Sequence, residues 1–262
     1  DFYRMTGVLS YIKHPEIKFT SLADIKDVDW YHLSGADVVI LQRCHHVVHI
    51  NFIKMAQDMN IKVIIDYDDD LLNVTNHKND SITLEEQRKN IKMAIHLADE
   101  IWVSTIALKE VYKPFNRNIH VIENCHNDFV FPLDKKKPFN METKKAAYRG
   151  GPSHDDDVYQ DINDLAGTII DNPDWNFTFI GGDFEYISNR TKDCKNHFYT
   201  KGITIIQFFK YLQKDENPNI VFFPLITNKF NQSKSNICFL EATYAGACFM
   251  GNKGLNEFNL DY

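Results

Sequence analysis

The sequence has no cysteine framework. Its five cysteines (Cys44, Cys125, Cys194, Cys238, Cys248) are odd in number, scattered, and partly inside apolar runs. That excludes a disulfide scaffold and points to reduced thiols in an intracellular setting. No apolar run approaches the roughly 20 residues that a membrane-spanning helix needs. Nor is there a surplus of positive charge. A formal net charge of −7 argues against holding a phosphate backbone across a broad surface and leaves only a local basic groove open. The glycine fingerprints of Walker and dinucleotide sites are missing, and so is the His-Glu-x-x-His helix of zinc hydrolases.

What is there reads as a globular α/β protein. The 262 residues permit one large domain or two modest ones. Hydrophobic content of 44% and charged content of 25% suit a real core. Short β-branched runs read as buried parallel strands at Ala36–Arg43, Lys62–Tyr67, Glu100–Thr105 and Ile119–Glu123. Helical spacing separates them at Ile50–Met59, Leu84–Ala98 and Ile106–Tyr112, and a further helix is expected at Val8–Ile12. Residues 125–144, with Phe131-Pro132, Pro138 and Lys135-Lys136-Lys137, read as a linker with a solvated lysine run. The pattern then restarts. Strands are expected at Lys145–Tyr148, Asn176–Ile180 and Ile220–Leu225. Helices are expected over 155–170, capped by Ser153 or Asp155, and within 203–212. Alternation of this kind implies parallel sheets, and the interruption implies two units with a cleft between them. The chain starts at Asp1 without Met and stops at Tyr262, so a fragment of a longer protein is expected, incomplete at both ends.

The most informative stretch is Asn231–Met250. Small polar residues Ser233, Lys234, Ser235 and Asn236 are expected to form the first turn of a helix. Ile237, Leu240, Glu241 and Tyr244 recur at helical spacing, and Ala245-Gly246-Ala247 ends the helix before a strand from Ala247 to Met250. Free N–H groups, hydroxyls and a cation at a helix start suit an anion. Glu241, an acid in an otherwise apolar segment, suits two adjacent sugar hydroxyls. Phosphate and diol together describe a nucleotide-sugar site. A second candidate is Arg149-Gly150-Gly151-Pro152-Ser153-His154. There glycines allow close backbone approach and Arg149 can grip phosphate oxygens with a two-pronged fork.

On Leu240-Glu241-Ala242 with its small-Gly-small turn, the chain resembles the GT-B glycosyltransferases, especially the retaining group often called family 4. The resemblance implies two Rossmann-like domains facing across a cleft. Residues 1–130 would be the acceptor side and 140–262 a truncated nucleotide-sugar-binding side. It implies a donor ribose on Glu241 and a donor diphosphate facing the Arg149–His154 loop, whose Gly150, Gly151, His154 and Asp157 match a subgroup's Gly-Gly-x-x-His-x-x-Asp pattern. The second family Glu, eight residues earlier, is Ser233 here, so the paired motif is broken. Ser-Lys-Ser-Asn before Leu-Glu-Ala is similar to a subgroup from bacterial polysaccharide loci and large tailed phages. Tyr3-Arg4, Ala98–Ser104 and Val121–Asn124 match the family's order in the first half.

The function implied is transfer of a hexosyl or pentosyl group from a nucleotide-diphosphate sugar to an acceptor hydroxyl. Retention, no metal and no cofactor beyond the donor are expected, in the cytoplasm, the host's if a phage encodes the chain. Arg149, Lys234 and Asp69 are the expected catalytic residues. Gly150, Gly151, His154, Ser235, Asn236 and Glu241 are the expected donor contacts. Three other readings stay open: a catalytically silent structural or binding component, a phage enzyme acting on modified DNA bases, and a nucleotide-sugar epimerase. Asp66–Asp70 could hold a metal in the other large glycosyltransferase fold, but the donor features lie in the second unit, so one Asp is expected to contact acceptor or order the loop. His45 or His46 is read as an acceptor contact or a polar loop, not a metal site.

Overall fold

In the computed structural model the chain divides into two compact units. Apart from the first two residues, one comprises Tyr3–Asn124 with Gln232–Ser235, and the other Cys125–Asn231 with Asn236–Tyr262. The structure describes residues 2–9, 12–21, 30–74, 83–127, 141–150, 157, 164–181, 184–212, 218–252 and 255.

In the first unit, strands β1 (Val38–Gln42), β2 (Lys62–Tyr67), β3 (Glu100–Val103) and β4 (Ile119–Val121) alternate with helices α1 (Val47–Asp58), α2 (Leu84–Leu97) and α3 (Ile106–Tyr112). The strands form a parallel sheet in sequence order, with Val39 opposite Val63, Ile65 opposite Ile101 and Val103 opposite Val121. β2 is buried from Val63 to Tyr67, as a strand covered on both faces must be. α2 buries Gln87, Ile91, Ala94 and Ile95 along one face. Thr83 caps it by accepting the Glu86 N–H, and Glu85 and Glu86 oppose the helix dipole in its first turn. α1 begins three residues before its expected start. His46 caps it, and the His46 N–H donates to His49 Nδ1 at 3.1 Å. The helix expected through Ile12 is shorter: Phe2–Thr6 make a π turn and Gly7–Leu9 a short α turn.

The second unit holds β5 (Lys145–Arg149), α4 (Leu165–Asp171), β6 (Asn176–Gly181), α5 (Glu185–Arg190), β7 (His197–Lys201), α6 (Ile205–Leu212), β8 (Ile220–Phe223), α7 (Ile237–Ala245) and β9 (Cys248–Gly251). All five strands run parallel, in the order β7-β6-β5-β8-β9. The chain starts in the middle of this sheet, builds outward through β6 and β7, then crosses back to add β8 and β9 on the other side. Such a reversal, here between β5 and β8, opens a crevice outside the strands' carboxyl ends.

Strand β7, helix α5, the short helical turns Trp30–Leu33 and Lys229–Gln232 and the 3-10 turn Met141–Thr143 are not anticipated by hydrophobic pattern. β7 lies at the sheet edge and leaves Phe198 63% exposed, so it never reads as a buried run. The helix expected over 155–170 is seen as Asp157 and as α4. Asp164 caps α4 with φ 29 and accepts the Gly167 N–H at 3.0 Å. The expected caps Ser153 and Asp155, and linker residues 128–140, lie outside the described residues. Among the described residues no helix is long and apolar enough to cross a membrane.

Candidate functional site

In the second unit, β5 ends at Arg149 and runs into Gly150, beside the strand-order reversal. Gly150 donates its N–H to the Ile180 carbonyl at 3.1 Å. A Cβ at Gly150 would stand 2.1 Å from the Tyr148 hydroxyl, and one at Gly181 would stand 2.7 Å from the Gly150 carbonyl. Gly181 also has φ +104, a left-handed value that favours glycine. The missing Cβ at Gly150 thus leaves room for the Tyr148 hydroxyl.

The Arg149 side chain reaches α7, which lies between β8 and β9. Its Nη2 donates to Glu241 Oε1 at 2.5 Å and its Nε to Glu241 Oε2 at 3.1 Å, a two-pronged pair. The guanidinium lies over the Phe208 ring, 5.2 Å from its centroid. Glu241 is buried, its side chain 1% exposed, while that of Arg149 is 33% exposed. Helix α7 turns Cys238, Glu241, Ala242, Tyr244 and Ala245 inward. Set against the expected stripe of Ile237, Leu240, Glu241 and Tyr244, this face is rotated by about one residue. Gly246 at φ 68 ends the helix, as its sequence implies. Tyr244 packs on Phe209 and on His126, with ring centroids 5.0 and 4.9 Å away.

Asp157 acts as a strut. Buried, it accepts the Ile226 N–H at 2.8 Å and Asn231 Nδ2 at 2.7 Å, tying the stretch after β5 to Ile226 and to the short helical turn Lys229–Gln232 after β8. Sequence reasoning missed Phe208 and Asn231. Phe208 sits in an ordinary amphipathic helix, and Asn231 precedes the polar run without standing out from it.

One expectation is corrected. Ser233, Lys234, Ser235 and Asn236 do not form the first turn of α7, which starts at Ile237 with Asn236 as its N-cap and no side-chain capping bond. Three of these residues belong to the first unit and are engaged there. The Ser233 carbonyl accepts the Thr105 hydroxyl at 3.2 Å, Ser235 Oγ accepts Asn124 Nδ2 at 2.7 Å, and Lys234 Nζ lies 2.7 Å from Asp69 Oδ1. Side-chain partners therefore hold the segment in a non-helical path.

The acid run of the first unit is partnered throughout. Asp66, fully buried, takes the Arg4 fork and Gln42 Nε2, while Arg4 also donates to the Ile122 carbonyl. Arg43, at φ 49, grips Asp68 with both prongs, at 2.6 and 2.7 Å, and reaches Asp69 Oδ2 at 2.9 Å. Asp70 orders the loop by accepting the Leu72 and Asn73 N–H groups and Asn73 Nδ2. Burial pushes its carboxyl above the usual aspartate range, with these hydrogen bonds pulling the other way. The Tyr112 hydroxyl donates to the Asp69 carbonyl at 2.7 Å and accepts the Leu71 N–H at 3.1 Å. His45, His46 and His49 cluster at the start of α1, with centroids 4.4 to 6.1 Å apart. Among the described residues no group of three or more His, Cys, Asp or Glu side chains is placed to hold a metal ion.

The residues singled out by sequence thus gather in two groups. Asp69, Lys234 and Ser235 lie in the first unit; Arg149, Gly150, Asn236 and Glu241 lie in the second. Gly151 and His154 lie outside the described residues.

The chain matches no family model and no curated protein. Solved structures do resemble it. A mutant of S. aureus TarM in complex with fondaparinux, alpha-GlcNAc-glycerol and UDP aligns at 15% identity and TM-score 0.51, over 76% of this chain and 39% of that one. An alpha-glucosyltransferase in complex with UDP and a 13-mer DNA containing a HMU base aligns at 12% identity and TM-score 0.55, over 88% and 65%. The pneumococcal O-GlcNAc transferase GtfA in complex with UDP and GlcNAc aligns at 14% identity and TM-score 0.52, over 84% and 43%. The chain therefore spans 39 to 65% of the length of these proteins. At such identities the likeness speaks for the fold: the protein has an α/β fold of parallel sheets like that of GT-B glycosyltransferases.

Proposed function

We propose that the protein is a glycosyltransferase that moves a sugar from a nucleotide-diphosphate sugar to an acceptor hydroxyl, with retention and without a metal. One observation carries this reading. An arginine at the carboxyl end of β5 and a buried glutamate on the helix after β8 meet at the strand-order reversal, where open parallel sheets take their ligands. The likeness to transferases solved with UDP supports it further.

In this reading residues 140–262 bind the donor and residues 1–130 face the acceptor. Glu241 accepts hydrogen bonds from the ribose diol. Arg149 and Lys234 stabilise the charge that gathers on the departing diphosphate, with Gly150, Gly151, His154, Ser235 and Asn236 around the phosphates. Asp69 serves the acceptor side. The group moved is a hexosyl or pentosyl unit, the donor is the only cofactor-like molecule, and the reaction belongs to the cytoplasm, the host's if a phage encodes the chain. The finer family is the retaining family 4 group, in its polysaccharide and phage branch. A second reading keeps the donor and makes a modified DNA base the acceptor; the likeness to an alpha-glucosyltransferase solved with DNA favours it.

The test is a melting experiment on the full-length protein with a panel of nucleotide-diphosphate sugars, since a ligand that binds only the folded state raises Tm. At least one donor should raise Tm, and EDTA should leave the shift intact. Release of nucleoside diphosphate on adding hydroxyl acceptors should follow. Binding without release under any acceptor would favour the silent binding component. A flat melting curve with every donor would sink the reading. Salt-sensitive DNA binding would select the DNA acceptor.

A further inference from the structure

Glu241 is a carboxylate with almost no surface. Its side chain is 1% exposed, and each of its oxygens takes an N–H of Arg149. Arg149 therefore competes with any ligand hydroxyl for those oxygens. Of the two, the arginine is the one able to move. Glu241 is rooted mid-helix, between Cys238 on one side and Ala242 and Ala245 on the other, all buried. Arg149 is the last residue of β5, is followed by a glycine, and has a side chain 33% exposed.

We propose that Arg149 and Glu241 exchange partners when the donor binds, a step that rests on the donor-site reading above. In the structure each faces the other's charge. On binding, the two ribose hydroxyls replace the guanidinium at Glu241, and the diphosphate oxygens replace the carboxylate at Arg149. The Phe208 ring beneath the guanidinium is indifferent to which anion it faces and keeps its stem in reach.

The exchange makes Arg149 a specificity-determining residue. A bare nucleoside must strip Arg149 from Glu241 and offers it no anion in return. Free pyrophosphate takes Arg149 from the buried carboxylate and supplies no diol in exchange, which is costly. A ligand carrying both groups meets both needs at once. Arg149 therefore discriminates against each half of the donor, and a ligand shifts the pair only by its differential interaction with the closed and exchanged states.

The experiment is calorimetric titration of the full-length protein, its Arg149→Ala variant and its Arg149→Lys variant with the four common ribonucleosides and their 5′-diphosphates. In Arg149→Ala the preferred diphosphate should bind about tenfold or more weaker, through loss of charge-assisted hydrogen bonds. Its nucleoside should bind about threefold or more tighter, because its competitor for Glu241 is gone. Arg149→Lys keeps a cation but not the fork. It should show the same opposite changes at smaller size, and it carries the test if the alanine variant does not fold. If nucleoside and diphosphate weaken together in Arg149→Lys, Arg149 is a static orienter of Glu241 and the exchange is wrong. If the parent binds the nucleoside as tightly as its diphosphate, the discrimination does not exist. If the parent binds none of the four diphosphates, the donor-site reading itself fails and takes the exchange with it.

Discussion

Two arginine–carboxylate pairs stand in the two units with the same chemistry and opposite settings. Arg4 and Asp66 are sealed, with side chains 2% and 0% exposed, and each has a further anchor: Arg4 the Ile122 carbonyl, Asp66 the Gln42 amide. Arg149 and Glu241 are sealed on one side only. A pair buried at both ends can neither be reached nor re-partnered, so it serves as a staple between the N-terminal turn, β2 and the chain after β4. A pair open at its arginine end can be reached by an anion. Burial of an ion pair as such does not decide whether an incoming anion can reach it; asymmetry of burial does.

The largest effect expected from this contrast is on the sealed pair. Arg4→Ala strands the Asp66 charge at a fully buried position, and should lower unfolding free energy by about 3–5 kcal/mol, read from urea denaturation. A loss under about 1 kcal/mol would mean that the pair is solvated in solution and that the contrast fails.

Next comes Glu241→Gln, which keeps the shape of the half-open site while weakening its acceptor. It should raise the dissociation constant for the nucleoside diphosphate roughly tenfold, about 1.4 kcal/mol, with a urea midpoint near the parent's. Unchanged binding would make Arg149–Glu241 a second staple and erase the difference between the units.

A pH series on Asp70 sharpens the picture of the first unit as a closed frame. Burial raises the Asp70 carboxyl in the folded protein above its unfolded value. Above the unfolded value of about 3.9, the folded form therefore holds a proton that the unfolded form has released. The group's contribution to stability falls as pH rises through that window. Asp70→Asn cannot titrate, so its Tm relative to the parent should climb as pH is raised from about 4. A pH-independent difference would show that the loop admits water to this carboxyl.

The smallest effect belongs to an exposed pair. Lys62 Nζ lies 2.7 Å from Glu100 Oε2 with its side chain 48% exposed. Lys62→Ala should change stability by about 0.2–1 kcal/mol, fading in high salt. An effect as large as that of Arg4→Ala would show that exposure does not rank these pairs.

Sequence by itself determined the elements whose signals are local. β2 and α3 begin and end where their apolar runs and neighbours require, at Lys62–Tyr67 and Ile106–Tyr112. α7 ends at Gly246 because a left-handed residue must stop it there. Glu241 stood out because a buried acid demands a partner, and that too is visible in a single helix. Which partner it takes was decided only by tertiary structure. Strand order brings the end of β5 beside the helix after β8, so Arg149 meets an acid 92 residues away. The same holds for Ser233 to Ser235, which look like a helix start until Thr105, Asn124 and Asp69 hold them outside it. β7 escaped notice because an edge strand with an exposed face has no buried run to betray it. Spacing and capping act over a few residues and leave their mark in the chain. The pairing of buried charges and the order of strands depend on contacts between distant segments, which no short window of sequence contains.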